Sequence, residues 1–475
     1  MRRNLEESIL YHLPFEASEE QAYLVKKISR FCMPNTSDEI FTLRGFAGTG
    51  KTSLLGALAQ SLYHLKRPFF LLAPTGRAAK VLQGKTKSPT STIHKHIYQS
   101  KVDANGFTSF LPKANSKEGA LYIVDESSMI PHVVNTSEAH QNQSVLEDLI
   151  QFVFQKPNNK LILVGDTAQL PPVGMTMSMA LNAKDLQQNF WRNTDSFTLK
   201  EVKRQKEQST VLWNATLLRE FMTEEEDFST TFPKLKTNQT DFFRQEDRFE
   251  LEYALEQSMD KQGLDETVII CRSNKRANQY NQRIRQHFFG REEGIERGDL
   301  IMIVKNNYFW LEQTSDAGFL ANGELATVEK IYRFIDLYGF RFVELELALV
   351  DYPNMESFRT IAFVDTLTVD GAGLTYADSQ KLYAELQAEF AHLKSKSARY
   401  KNIKKNPYFN ALQIKFAYAI TCHKAQGGQW KNVFIEQPFW DLQHIDKEDY
   451  RWFYTALTRA SEHVHLIGFN STFFE

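Results

Sequence analysis

The 475 residues, 42% hydrophobic and 24% charged, can fill the cores of roughly two to four ordinary domains, while a formal net charge of −2 excludes a globally basic surface. Any polyanion must therefore be met in a local groove. Cys32, Cys271 and Cys422 are widely spread without a C-x-x-C pair, which excludes a disulfide framework or zinc ribbon, and no run approaches the roughly 20 apolar residues of a membrane span or resembles an export signal, so a reducing cytoplasm is expected.

Ala17-Ser18-Glu19-Glu20-Gln21 belongs to an N-terminal helix. Phe41 to Arg44 forms a short strand that runs into Gly45-Phe46-Ala47-Gly48-Thr49-Gly50-Lys51-Thr52 and then a helical stretch from Ser53 to Ala59. This is G-x-x-x-x-G-K-T in the strand-to-helix setting it requires. The glycines let backbone N–H groups close on phosphate oxygens, and the helix N-terminus adds a positive dipole. Lys51 reaches the β and γ phosphates and Thr52 can hold magnesium. Gly45, Gly48, Thr49, Gly50, Lys51, Thr52 and Ser53 are the expected cradle, with ATP and Mg2+ its expected ligands.

Phe69 to Ala73 reads as the next buried strand, leading into Pro74-Thr75-Gly76-Arg77, with Ser91-Thr92-Ile93-His94 a little later. Asn105-Gly106, between Ile97-Tyr98 and Phe107 to Phe110, signals a hairpin. Leu121 to Val124 delivers Asp125-Glu126 at a strand's C-terminal end, where parallel sheets bind ligands. One carboxylate is needed for magnesium, which is assigned to Asp125. The other must accept a proton from the attacking water, which suits Glu126. Leu161 to Val164 leads into Gly165-Asp166-Thr167-Ala168-Gln169-Leu170-Pro171-Pro172, where the neutral amide of Gln169 can orient water or read the γ phosphate.

Glu207 to Leu264 is charged and helical in pattern and is expected to connect two α/β units. In the second unit Val268 to Cys271, ending at Arg272-Ser273-Asn274, and Val464 to Ile467 read as strands. Asp299 to Val304, Leu325 to Ile331 and Arg341 to Val350 alternate, with turn signals at Asn322-Gly323 and Tyr338-Gly339. They read as a small antiparallel barrel inserted in the second unit, followed by a helix from Tyr376 to Ser395. The expected boundaries are 1–200 for the first unit, with a hairpin at 95–118, 201–298 and 411–475 for the two parts of the second, and 299–410 for the barrel.

The phosphate loop, Ala73-Pro74-Thr75-Gly76-Arg77-Ala78-Ala79, Asp125-Glu126, the Gly165–Pro172 segment, Glu201-Val202-Lys203-Arg204-Gln205, Ala417 to Gly427 and Tyr454-Thr455-Ala456-Leu457-Thr458-Arg459-Ala460 occur in an order that resembles the B branch of superfamily-one helicases. Within it, the chain is similar to the RecD-like and petite-integration-frequency (PIF) families. The resemblance implies an α/β fold of two RecA-like parallel-sheet domains, a P-loop NTPase, with a strand-separating pin at the hairpin and a Src-homology-three-type barrel. It implies that Gln21 reads the adenine edge, that Arg204 and Arg459 reach the γ phosphate from the second domain, and that Gly427 is among the ATP-binding residues. It also implies contacts to the backbone of a single strand by Pro74, Thr75, Arg77, Thr92 and His94 on one domain and by Asn274, Thr421, His423 and Lys424 on the other. Such contacts carry no sequence information.

The activity implied is an ATP-dependent DNA helicase moving 5′-to-3′, a monomer on single-stranded and on forked or tailed duplex DNA, serving repair, recombination or replication. It would act in the cytoplasm, at the nucleoid if the source is a prokaryote. An RNA or RNA–DNA hybrid helicase stays open, as does an ATP-regulated DNA-binding subunit without processive unwinding; the complete set of hydrolytic carboxylate and partner arginines stands against the latter. Asn135 to Gln143 is polar and loop-like and departs from the PIF wording after Asp125 to Ile130, which leaves the choice between RecD-like and PIF open. No acidic or histidine cluster points to a nuclease.

Overall fold

Runs of four to six residues that are apolar on both faces form sheets covered on both sides, and the chain builds two of them. In the computed structural model, which describes residues 2–34, 36–37, 39–102, 108–132, 144–172, 174–201, 209–224, 232–238, 240–292, 294–312, 315, 317–440 and 445–475, the first lobe contains β1 (Ile40–Gly45), β2 (Phe69–Ala73) and β3 (Thr90–Thr92). A separate antiparallel hairpin of β4 (Tyr98–Val102) and β5 (Thr108–Pro112) follows, then β6 (Leu121–Val124), β7 (Lys160–Gly165) and β8 (Thr194–Leu199). The sheet order is β3-β2-β6-β7-β1-β8, with parallel pairing throughout. Period-two alternation sends Phe41, Leu43, Ile123, Ile162 and Val164 to the face covered by helix Lys51–His64. Ile40, Tyr122, Val124, Leu161 and Leu163 go to the other face, covered by helix Val145–Val153.

The second lobe holds β9 (Phe242–Gln245) and β10 (Thr267–Cys271). The chain then leaves for a closed barrel of β11 (Leu300–Ile303), β12 (Leu325–Leu337), β13 (Phe340–Leu349), β14 (Phe358–Phe363) and β15 (Leu412–Phe416). It returns with β16 (Ala419–Thr421), β17 (Trp430–Glu436) and β18 (Ala460–Ile467). The second sheet runs β16-β10-β17-β18-β9, all parallel. Both sheets therefore point the C-terminal ends of their strands toward loops that can meet in one cleft.

Three expectations need correction. The barrel does not stop at residue 410: Leu412–Phe416 closes it by pairing with β11 and β14, and two residues later the chain is already in β16. One nearly continuous apolar run thus serves two sheets, which hid the boundary. The barrel is not purely antiparallel, because β14 and β15 run parallel. A parallel pair needs a crossover, and the helices Tyr376–Glu389 and Lys396–Lys405 supply it. Finally, the stretch from 207 to 264 contains an edge strand, Phe242–Gln245, between helices Thr210–Glu224 and Arg248–Gln262. The hairpin turn at Asn105-Gly106, Arg204 and the Asn135 to Gln143 segment lie outside the described residues.

Candidate functional site

Strand β1 ends at Gly45, and the chain turns through Gly48 (φ 78°) and Gly50 (φ 86°) into helix Lys51–His64. Gly50 is required twice over, by its left-handed φ and because a Cβ there would stand 2.9 Å from Gln21 Nε2. Lys51 Nζ donates to the Gly45 and Phe46 carbonyls at 2.7 and 2.8 Å, so the ammonium is held over the loop. Gln21 donates from Nε2 to Thr49 O at 3.0 Å, while its Oε1 accepts from Ser18 N as part of a capping box. Its amide thus buttresses the loop from the N-terminal helix.

Asp125 and Glu126 follow β6 directly. Glu126 adopts a left-handed conformation (φ 51°, ψ 34°), which for a residue with a side chain is a local strain, and its N–H donates to Asp125 Oδ1 at 2.9 Å. Burial pushes the Asp125 carboxyl up, and the neighbouring Glu126 charge pushes it further, against the pull of Lys51 and Lys85. The cost of burying that carboxylate is the cost a divalent cation offsets.

These groups line a cleft of about 1110 Å³ together with Gly48, Gly50, Thr52, Ser53 and Gln169 of the first lobe and Thr458 and Arg459 of the second. Arg459 is 3% exposed and donates from Nε to Thr455 O, from Nη1 to Gly428 O and from Nη2 to Thr458 Oγ1. Gln169 is also buried, and its Oε1 has no hydrogen-bond partner among the described residues. Tyr454 OH touches both the phosphate loop and Asp166, and Leu170 is gripped by Thr455 and Gln426. On the far side Arg219 stacks over Phe46 at 4.5 Å. Arg77 lies 3.9 Å from the Trp430 ring centroid and donates to Gln429 O at 3.1 Å.

A second groove, about 1020 Å³, runs between the lobes and past the barrel, lined by Thr75, Arg77, Asn322, Gly323, His423 and Lys424 among others. Lys424 donates to Asn322 Oδ1 of the barrel, and burial brings its ammonium down to about 8. Thr75 caps helix Gly76–Thr86 by accepting from Ala78 N, so one helix N-terminus opens on this groove. A further recess of about 500 Å³ between the first lobe and the barrel contains Thr92, Lys80, Lys95 and Glu324.

A family model described as an AAA domain matches residues 16–229, and one described as a UvrD-like helicase C-terminal domain matches residues 416–467. The ATP-dependent RecD2 DNA helicase of Deinococcus radiodurans is 32% identical over 159 residues, 33% of this chain and 18% of that protein. The chain is thus similar to AAA domains in its first part and to the C-terminal domain of UvrD-like helicases near its end. An uncharacterised protein of Acanthamoeba polyphaga mimivirus is 30% identical over 185 residues, covering 34% of each. The matched part of the chain spans about a third or less of the length of the curated relatives it matches. Solved structures of the Pif1 helicases from Bacteroides, in complex with ADP-AlF3 and ssDNA, and from Candida albicans are similar at 13% and 17% identity. The alignments cover 96% and 97% of this chain and 94% and 96% of those chains, with TM-scores of 0.47 and 0.41.

The structure gathers Gln21, Gly48, Gly50, Lys51, Thr52, Ser53, Asp125, Glu126, Gln169 and Arg459 around one cavity, with Gly45 and Thr49 in the loop's backbone. Gly427 is elsewhere: a Cβ there would meet Ala78 and Thr75 at 3.0 and 3.1 Å, so it serves the close approach of the lobes and not the cleft lining. Arg77 borders the groove but spends its guanidinium on Trp430. His94 packs against Tyr98, and burial keeps its imidazole toward the neutral form, away from the groove's lining. Asn274 begins helix Asn274–Phe289, and Thr421 ends β16 beside the groove residues His423 and Lys424. Pro74 precedes the helix cap at Thr75.

Sequence reasoning missed Tyr454, Gln426 and Trp430 as interface groups, although the first two sit inside quoted segments. It also missed Glu324, whose position beside Gly76 no pattern signals.

Proposed function

We propose that the protein is an ATP-driven DNA helicase that moves 5′-to-3′ along single-stranded DNA and separates forked or tailed duplexes, acting as a cytoplasmic monomer in DNA repair, recombination or replication. The observation that supports it best is that the phosphate loop, the two acids and Arg459 of the opposite lobe share one cleft. In this reading Lys51 holds the β and γ phosphates, Glu126 takes the proton of the attacking water and Gln169 orients that water. Arg459, joined by Arg204, stabilises the charge that develops on transfer. Thr52 and Asp125 would hold Mg2+, which supplies charge neutralisation at the phosphates; a cation that keeps several waters fits so few protein ligands. Gln21, which lines the cleft, would exchange its contacts with Ser18 and Thr49 for the edge of the base. The groove of Thr75, Asn322, His423 and Lys424 suits a sugar-phosphate backbone, and Thr92, Asn274 and Thr421 would be further contacts of the same strand outside the groove's lining.

An arginine supplied across the cleft makes hydrolysis depend on lobe closure, and opening and closing on a track is movement. Lys51→Ala is expected to abolish DNA-stimulated ATP turnover, read by phosphate release with and without a single strand. Normal turnover in that variant would remove the cleft from the account. Matched RNA strands in the same assay separate a DNA from an RNA enzyme.

A further inference from the structure

Tyr454 lies in helix Lys447–Leu457 of the second lobe and is 1% exposed, so its hydroxyl must find partners inside the protein. It finds them on the first lobe. The hydroxyl donates to Asp166 Oδ2 at 2.7 Å and accepts from Ala47 N at 2.9 Å. Ala47 belongs to the phosphate loop, and Asp166 opens the segment that carries Gln169. Asp166 is itself 1% exposed, its other oxygen accepting from Ala168 N at 2.9 Å. One phenol oxygen therefore ties two walls of the nucleotide cleft to the opposite lobe. Packing alone does not ask for it, since phenylalanine would fill the same space.

The next residue adds to the grip. Thr455 Oγ1 accepts from Leu170 N at 2.9 Å and Gln426 Nε2 donates to Leu170 O at 2.7 Å, so both backbone groups of Leu170 are satisfied from the second lobe. Four residues after Thr455 comes Arg459, whose Nε is held by the Thr455 carbonyl. The same stretch of chain that aims Arg459 into the cleft thus holds the phosphate loop and the Asp166–Leu170 loop in place.

We propose that Tyr454 is a positioning residue that shapes the phosphate loop for nucleotide only when the lobes are together, so that lobe position sets nucleotide affinity while Arg459 sets the rate. When the lobes part, Ala47 N–H and the Asp166 carboxylate both lose their partner, and the loop is released. By reciprocity, a nucleotide that needs the ordered loop draws the lobes together. The inference rests on the ATP reading of the cleft.

The test is a split between binding and turnover in the full chain. Tyr454→Phe is expected to raise KM for ATP, and to weaken binding of a fluorescent ADP, by about tenfold, the factor one buried hydrogen bond carries. Its turnover at saturating ATP and single-stranded DNA should stay within about threefold of wild type. Arg459→Ala should show the reverse split. Tyr454→Phe that is folded and binds nucleotide within about twofold of wild type would overturn the proposal, as would a fall in turnover at unchanged KM. If Tyr454→Phe does not fold, amide hydrogen exchange at Ala47 in the wild type decides: slow exchange without nucleotide is expected, and exchange at the solvent rate overturns it. A wild type that hydrolyses no ATP would sink the functional reading instead, leaving the exchange measurement to judge Tyr454.

Discussion

Arg459 is an arginine whose three donor nitrogens each face an oxygen of its own lobe, so its side chain is ordered before any phosphate arrives. Preorganised charge of this kind stabilises a transition state without reorganisation. Arg459→Ala is therefore expected to leave nucleotide binding largely intact and slow hydrolysis at least about a hundredfold, within the range for arginines that act in phosphoryl transfer; single-turnover rates at saturating ATP check it, and a loss under about fivefold would remove the role. A second residue prediction concerns Glu324, which is 3% exposed and whose carboxyl burial pushes up to about 8, with Asp351 adding to the rise and Ala321 N–H and Lys95 opposing it. Because its folded pKa lies above the unfolded value, the native state holds the extra proton between about 4.5 and about 8, and stability falls as pH rises through that window. Glu324→Gln should flatten the decline in melting temperature from pH 5 to pH 9; parallel curves for the two proteins would refute it. Lys51, Asp125 and Glu126 were legible because phosphate chemistry demands those groups at strand ends. Glu324 and the Arg77–Trp430 stack were not, since they arise where distant segments meet and leave no local period to read.

At the scale of elements, legibility followed burial. Strands β6, β7 and β10 are buried along their whole length, and each showed in the sequence through an unbroken apolar run of four residues. The edge strand β9, Phe-Phe-Arg-Gln, is too short and too polar to stand out between two charged helices. β15 was hidden for the opposite reason, as part of an apolar stretch long enough for two strands. Among the described residues the β4–β5 hairpin pairs with neither sheet, its two strands pairing with each other from Tyr98 opposite Pro112 to Val102 opposite Thr108. A hairpin whose ladder belongs to neither sheet can be shortened without removing a strand from the walls of the cleft. Removing residues 101–109 and closing the turn with two glycines should leave single-strand-stimulated ATPase within about twofold, while strand displacement on a tailed duplex falls by about tenfold or more. Unimpaired displacement would make the hairpin an ordinary surface feature.

For the whole molecule the telling fact is where the second lobe's core ends. Ala168 and Leu170 of the first lobe are part of the same buried cluster as the second sheet and the barrel, so the loop carrying Gln169 is plugged into its partner lobe. Lobe movement must then drag that loop, and with it the Gln169 amide, which links the second lobe mechanically to the cleft. The barrel joins the same system through Lys424 and Asn322 across the groove and through Lys80, which donates to Val350 O and pairs with Asp351. Under the proposed function, a strand lying in the groove would touch both lobes and the barrel, so closure on nucleotide would change how firmly each lobe holds it, and direction would follow from which lobe lets go first. That order is not written in any one residue, so polarity has to be read from product. Duplexes carrying only a 5′ or only a 3′ single-stranded tail, given equal enzyme and ATP, should be unwound at least about tenfold faster from the 5′ tail. Preference for the 3′ tail would reverse the direction proposed here while leaving the cleft chemistry intact, whereas equal unwinding of both would mean that the barrel and lobes do not grip the strand in a fixed orientation.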